Sequence, residues 1–279
     1  MRAHLGFACP LLTSVLLACP VPPRLHPRSA EEVSRGYAYL QAGDPERAEV
    51  AFRHALAFDP DFPEGENGLG LVARTRSDLK SARRSFERAI SLRHDFAEAH
   101  ANLGELHLAE GDTAEAEERL RTALAIDPDL GDARLNLARA LLWKGLAPGA
   151  DRPAAFAAAR RELLHLLEAD PRRAAAHHDL GLVAYLSGNW TDAEASYRRA
   201  VELDTGFAEA QHGVCISLVR LDRCGDAVRS CQACLDLRPG EARCLQSLEA
   251  ARECANAGPL TQAGESPAPS RSRLAPGTR

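Results

Sequence analysis

Lysine is almost missing from this chain: Lys80 and Lys144 are the only two among 279 residues. We attribute that to coding bias, because arginine carries the positive charge instead. With 34 Lys and Arg against 39 Asp and Glu, the formal net charge is −5. The two signs are interspersed, which describes a solvated surface and excludes a nucleic-acid footprint. Long apolar runs are missing as well. The stretch Leu5 to Ala18 is too short for a helix that crosses a bilayer. Reactive clusters are equally scarce. Gly65, Gly68 and Gly70 form a Gly-rich stretch that does not make a phosphate loop. His177, His178 and Asp179 are consecutive, so on a helix they point apart rather than converge. His100 and His107 share a helical face without a third ligand at metal-site spacing. No enzymatic activity, cofactor or bound metal is expected.

A repeat fills the space that chemistry leaves empty. Gly36, Gly70 and Gly104 stand 34 residues apart, Ala138 takes the next slot, and Gly181 and Cys215 follow. Behind them come Ala48, Ala82, Ala116, Ala159, Ala193 and Ala227, then Phe52, Phe86, Leu120, Leu163, Tyr197 and Cys231. A fixed period of this length marks a stacked array of small units. Apolar residues fall at helical spacing, as in Ala48, Phe52, Ala55 and Leu56. Gly43-Asp44-Pro45, Gly111-Asp112 and Gly188-Asn189 are turn signals inside units. Phe58-Asp59-Pro60-Asp61 and Ile126-Asp127-Pro128-Asp129 end units, since proline disfavours helix in the residue before it.

The pattern resembles the tetratricopeptide repeat family. Leu69-Gly70, Leu103-Gly104 and Leu180-Gly181 fill its first pair, and Ala55, Ala89, Ala123 and Ala200 its late small position. Pro60, Pro128, Pro171 and Pro239 close units. His94 and Thr205 replace that proline, Leu166 and Cys234 replace the late alanine, and the early Trp of the family is absent. The resemblance implies an all-α fold, an α-solenoid of about six helix pairs with a C-terminal capping helix, over residues 31–256. One unit cannot bury its own apolar face, so neighbours stack around a continuous core. The fourth unit, Gly131 to Arg173, runs nine residues over period, and the expected place for them is the turn between its two helices. A neutral surface insertion and a partner-specific contact are both open readings.

The N-terminal segment stands apart. Arg2 and His4 precede the apolar run, as in a secretory signal segment over residues 1–18. Leu16-Leu17-Ala18-Cys19 resembles the lipobox of bacterial lipoproteins, in which the cysteine becomes the first mature residue and carries acyl chains. Two or more such chains make a stable membrane anchor. Residues 19–30, with Pro20, Pro22, Pro23 and Pro27, read as a stiff extended tether. No Asp follows Cys19, which by the same resemblance implies an outer-membrane lipoprotein facing the periplasm. A cleaved signal without lipidation and a cytosolic protein with a mis-assigned start are the alternatives. Residues 257–279 are rich in Pro, Ser, Gly and Ala without periodicity, and are expected to be a disordered tail.

Six cysteines crowd the last unit and the helix after it: Cys215, Cys224, Cys231, Cys234, Cys244 and Cys254. They allow fifteen pairings. If a helix over about 225–237 runs antiparallel to one over about 241–256, Cys224 faces Cys254 and Cys234 faces Cys244. Cys215 is then left for Cys231. Redox use of Cys231-Gln232-Ala233-Cys234 is disfavoured because it falls inside a helix rather than at a helix N-terminus. A zinc site is disfavoured because the paired-knuckle spacing is lacking.

In tetratricopeptide proteins the first helix of each unit lines the concave face. Carried over, those slots hold Val33, Tyr37, Leu40, Leu71, Ala101, Leu108, Leu135, Leu142, Trp143, Leu182, Tyr185, Leu186, Ile216 and Val219, an apolar set. Polar entries are Asn67, Arg74, Glu105, Arg139, His178, His212 and Arg220. Members that grip a C-terminal carboxylate use Lys, Asn and Arg there. Here the first two units present Val33, Ser34, Tyr37, Asn67, Gly68 and Leu71, so that clamp is missing. An apolar groove suits an apolar or amphipathic segment of an envelope protein. Some of these positions belong instead to the core if the neighbouring unit covers them. The combination of lipobox and repeats looks like the pilotins of type IV pilus secretins. An adaptor tethering peptidoglycan or envelope enzymes is the alternative role.

Overall fold

The computed structural model describes residues 27–257. The signal segment, Cys19, the first part of the tether and residues 258–279 lie outside the described residues. Six hairpins follow one another: α1 (Pro27–Gln41) with α2 (Pro45–Phe58), α3 (Pro63–Thr75) with α4 (Leu79–Leu92), and α5 (Ala97–Glu110) with α6 (Thr113–Ile126). Then come α7 (Gly131–Leu146) with α8 (Arg152–Ala169), α9 (Ala174–Leu186) with α10 (Trp190–Leu203), and α11 (Ala208–Arg220) with α12 (Cys224–Leu237). A thirteenth helix, α13 (Ala242–Ala257), closes the stack against α11 and α12. The described residues form an all-α repeat solenoid.

Short polar signals set the helix ends. Asp44, Asp78, Asp112 and Asp151 precede second helices, and each carboxylate accepts the backbone N–H three residues on at 3.0–3.3 Å. Such a cap is worth about 1 kcal/mol. Asp59, Asp127, Asp170 and Asp204 follow the last residue of second helices and accept the N–H two residues on. That is the turn an Asx side chain makes with its own backbone. Within hairpins the chain passes through the left-handed region, at Gly43, Gly111 and Gly188 but also at Ser77 and Asp222.

The repeating small residues do what close helix packing requires. A methyl added at Gly36 would come within 2.5 Å of the Phe52 ring, and one at Gly68 within 2.3 Å of the same ring. Phe52 is thus held between the first helix of its own unit and that of the next. Tyr197 sits likewise between Gly181 and Gly213. Buried side chains gather in separate clusters along the stack, around Phe52, Phe86, Leu163 and Cys231, rather than in one uninterrupted core.

Two boundaries differ from expectation. α1 begins at Pro27, so the end of the expected tether is helical, with Ser29 fully buried. Proline is at home in a first helical turn, where its missing N–H costs nothing. The extra length of the fourth unit does not go mainly into its turn. The connection is Ala147 to Asp151, while α7 has 16 residues and α8 has 18 against 13 to 15 in the other hairpins. The Ala-rich start of α8 favours helix over loop, so the hairpin grows outward.

At the C-terminal end the structure joins Cys215 to Cys231, Cys224 to Cys254 and Cys234 to Cys244, with Cα–Cα distances of 5.2, 5.6 and 6.2 Å. These are the pairs the antiparallel register selects. Cys244, Leu248 and Ala251 face inward from α13, and most of its remaining residues face solvent.

Candidate functional site

The inner face is less open and more polar than its sequence suggests. Of the expected groove residues, Val33, Leu135 and Leu142 are buried and belong to the core. Tyr37, Leu40, Leu71, Ala101, Leu108, Leu182, Tyr185, Ile216 and Val219 are half-buried, and Trp143 alone is exposed. Successive first helices touch along this face, α1 on α3, α5 on α7 and α9 on α11, and cover one another's apolar slots. What remains visible between them is hydrogen-bonded. Asn67 Nδ2 donates to Tyr37 Oη at 3.1 Å, and Asn102 Nδ2 donates to Asn67 Oδ1 at 2.9 Å. Arg74 pairs with Glu105. Arg139 Nε donates to Asp179 Oδ2 at 2.7 Å, and the other carboxylate oxygen lies 2.9 Å from His178 Nδ1. These bonds tie the first unit to the second, the second to the third and the fourth to the fifth. Burial raises the Tyr37 phenol above its ordinary value, with the Asn67 hydrogen bond opposing it.

The seam opens near the C-terminal end. There α9, α11, the end of α12 and the start of α13 enclose a pocket of about 250 Å³. Leu182, Tyr197, Gly213 and Ile216 form its apolar floor, with Cys234 and Cys244 beside them. His178, Glu209, His212, Arg238, Glu241 and Arg243 form a charged rim. Arg238 pairs with Glu209 at 2.6 Å and Arg243 with Glu241 at 3.2 Å. Burial works to raise the Glu209 carboxyl, but its own backbone N–H and Arg238 outweigh that and hold it low. His178 packs against the rings of Phe207 and Tyr197, with centroids 5.0 and 5.5 Å away.

His212 Nε2 lies 2.9 Å from Ser247 Oγ on the capping helix. Burial, then the Arg243 charge, lowers its pKa, while Glu241 pulls the other way. The unfolded chain therefore takes up a proton that folded His212 resists. Its contribution to stability is complete above about pH 6.5 and declines as pH falls below that value. Unfolding titrations between about pH 7.5 and about pH 5 should show the wild type losing more stability than His212→Gln. Parallel curves for the two proteins would refute this coupling.

Sequence reasoning placed Leu182, Ile216, His178 and His212 on this face but missed Arg238, Glu241 and Arg243. Arg238 directly follows α12, while Glu241 and Arg243 follow the last repeat and reach the pocket because α13 folds back. Cys231 and Cys234 bond to different partners, so they do not form the cyclic pair of a C-x-x-C dithiol. Among the described residues, the set that could surround a metal is Asp222, Cys224 and Cys254, and its two sulfurs are joined to each other.

Two tetratricopeptide repeat models match the sequence, one over residues 73–129 and 107–152, the other over 33–95 and 155–206. Between them they span more than half of the chain. No curated protein sequence matches significantly. Solved structures share the fold. A chain of the APC/C hetero-tetramer Cut9–Hcn1 superposes with a TM-score of 0.71 at 16% identity over 80% of this chain. This protein spans only 43% of that longer one. PilW, described as a widely conserved type IV pilus biogenesis factor, gives 0.69 at 20% identity, covering 80% of this chain and 99% of its own. PilF of Pseudomonas aeruginosa gives 0.67 at 19% identity, covering 78% and 96%. The 34-residue period, the six helical hairpins and these matches agree: the chain belongs to the tetratricopeptide repeat family.

Proposed function

We propose that this protein is a non-catalytic, protein-binding scaffold of the bacterial envelope. In this reading lipid on Cys19 holds it at the outer membrane, facing the periplasm. There it receives an apolar or amphipathic segment of an envelope protein and assists assembly of a complex such as the type IV pilus secretin. The observation that carries the binding role is the pocket between α9, α11 and α13. An apolar floor under a rim of charged groups is the form that seats one large anchoring side chain. The disulfides support an oxidising compartment, where such bonds persist. The likeness to PilW and PilF over nearly their whole lengths supports the pilus reading at the level of fold. The anchor rests on Leu16 to Cys19.

Tagged protein purified from crosslinked membranes should bring down the secretin subunit. Leu182→Glu and Ile216→Glu should each abolish that recovery while far-UV circular dichroism stays unchanged. Recovery undiminished in both variants would remove the pocket from the reading. Absence of the secretin from the wild-type sample would remove the pilus role. Cys19→Ser should move the protein from the membrane to the soluble fraction.

A further inference from the structure

The lengthened hairpin of the fourth unit carries an interaction surface of its own. Arginines elsewhere in the solenoid are mostly engaged: even on the basic helix α4, Arg83 pairs with Glu110 and Arg88 with Asp61. Arg152, Arg160 and Arg161 of α8 have neither an ion pair nor a side-chain hydrogen bond among the described residues. They are exposed, and they border two recesses that meet at Ala157 and Arg160. One, of about 440 Å³, lies in the crook between α8 and the end of α9. Phe156, Val183 and Leu186 line it, with Arg152 and Arg160 at its mouth. The other, of about 590 Å³, holds Arg160, Arg161, His165 and the exposed Leu164. The 18-residue α8 places Arg152 and Pro153 in its first turn, beside Leu186 and Ser187 at the end of α9.

We propose that the outer face of α8 is a docking surface for an acidic amphipathic segment of a partner protein. Its carboxylates pair with Arg152, Arg160 and Arg161, and one apolar side chain enters the crevice over Phe156 and Leu186. Charge complementarity names the occupant. Unpaired guanidinium groups present a fork that matches carboxylates two at a time, and arginine is enriched where proteins meet. A uniformly anionic surface such as a lipid membrane fits less well, because Glu162 and Glu168 share this face. A peptide can place its carboxylates around those two residues. The surface is built on α8 and the end of α9 and shares no lining residue with the inner-face pocket, so it stands or falls independently.

Fluorescence anisotropy on the full protein tests this with three labelled helical peptides. One is amphipathic with Leu and Glu, one has Lys for Glu, and one has Ala for Leu. The Leu–Glu peptide should bind at least about tenfold more tightly than either of the others. The pair Arg160→Glu with Arg161→Glu should weaken it about tenfold or more, with the effect shrinking at high salt. Ala157→Trp, which fills the crevice and keeps every arginine, should weaken it as well. All three substitutions are at exposed sites, and unchanged melting temperatures verify the fold. No binding of the Leu–Glu peptide at about 1 mM, equal binding of the Lys peptide, or indifference to both sets of variants would overturn the proposal. So would displacement of the peptide by phosphatidylglycerol vesicles that bind through the same arginines.

Discussion

Phe52→Ala should remove about 3–5 kcal/mol of stability, the range for deleting a fully buried ring. Phe52 has no solvent exposure and packs edge-on against Tyr37 with centroids 5.3 Å apart. The glycines at 36 and 68 explain why the site cannot collapse around a smaller residue: the backbones of two helices both abut the Cδ1–Cε1–Cζ side of the ring. The same clamp makes the reverse change costly. Gly68→Ala adds helix propensity worth about 1 kcal/mol, but its methyl overlaps a ring that Gly36 prevents from retreating. Overpacking of about 1–3 kcal/mol then outweighs the gain. The two sites should therefore couple, with Gly68→Ala costing less in a Phe52→Leu background than alone. Denaturant unfolding of the four proteins measures this. A cycle additive within about 0.5 kcal/mol would show that the glycine and the ring do not act as a unit.

Removing both disulfides that hold α13 should release it from the stack. Cys234–Cys244 closes a separation of 10 residues and Cys224–Cys254 one of 30. Loop-closure entropy assigns them about 3 and about 4 kcal/mol, less than the sum together because the longer loop encloses the shorter. Without them, α13 keeps Leu248 and Ala251 against α11 and α12. That burial is worth only a few kcal/mol, and a 16-residue helix is marginal alone. Serine at the four positions, or a strong reductant on the wild type, should lower the melting temperature. Amide exchange should rise first in α13. The pocket loses the wall that Glu241, Arg243 and Cys244 provide, so partner binding should weaken alongside. Exchange in α13 as slow after reduction as before would mean that packing alone holds the cap.

Much of the scaffold is legible because it depends on contacts with a fixed sequence period. Gly36, Gly70, Gly104 and Gly181 stand where helices approach closely, and nothing larger fits without displacing an aromatic ring or Leu120. The Asp residues before second helices announce caps that their own side chains complete. The cysteine pairs follow once α12 and α13 are taken as antiparallel. Elsewhere a local signal points the wrong way. Pro27 reads as tether but starts a helix, and the Ala-rich run after Pro153 lengthens a helix where an enlarged turn was expected.

The inner face is where sequence reasoning reaches its limit. Position along a helix says which residues turn toward the concavity, and four of those it names, Leu182, Ile216, His178 and His212, meet at the pocket. It does not say how far the next unit leans over them. That depends on superhelical stacking, which buries Val33, Leu135 and Leu142 and leaves a polar seam through Asn67, Asn102 and Asp179.

By itself the sequence determined the helix pairs, their spacing, the small-against-large packing within each pair and the stapled end. All but the stapled end are short-range consequences of a period of 34 residues. Only the tertiary structure decided where that scaffold can receive something. The pocket exists because α13 folds back to bring Arg243 beside His212, and the crevice over Phe156 exists because the first turns of α8 stand beside the end of α9. Both are gaps between units, and a gap is set by how whole helices sit on one another rather than by the residues of any one of them.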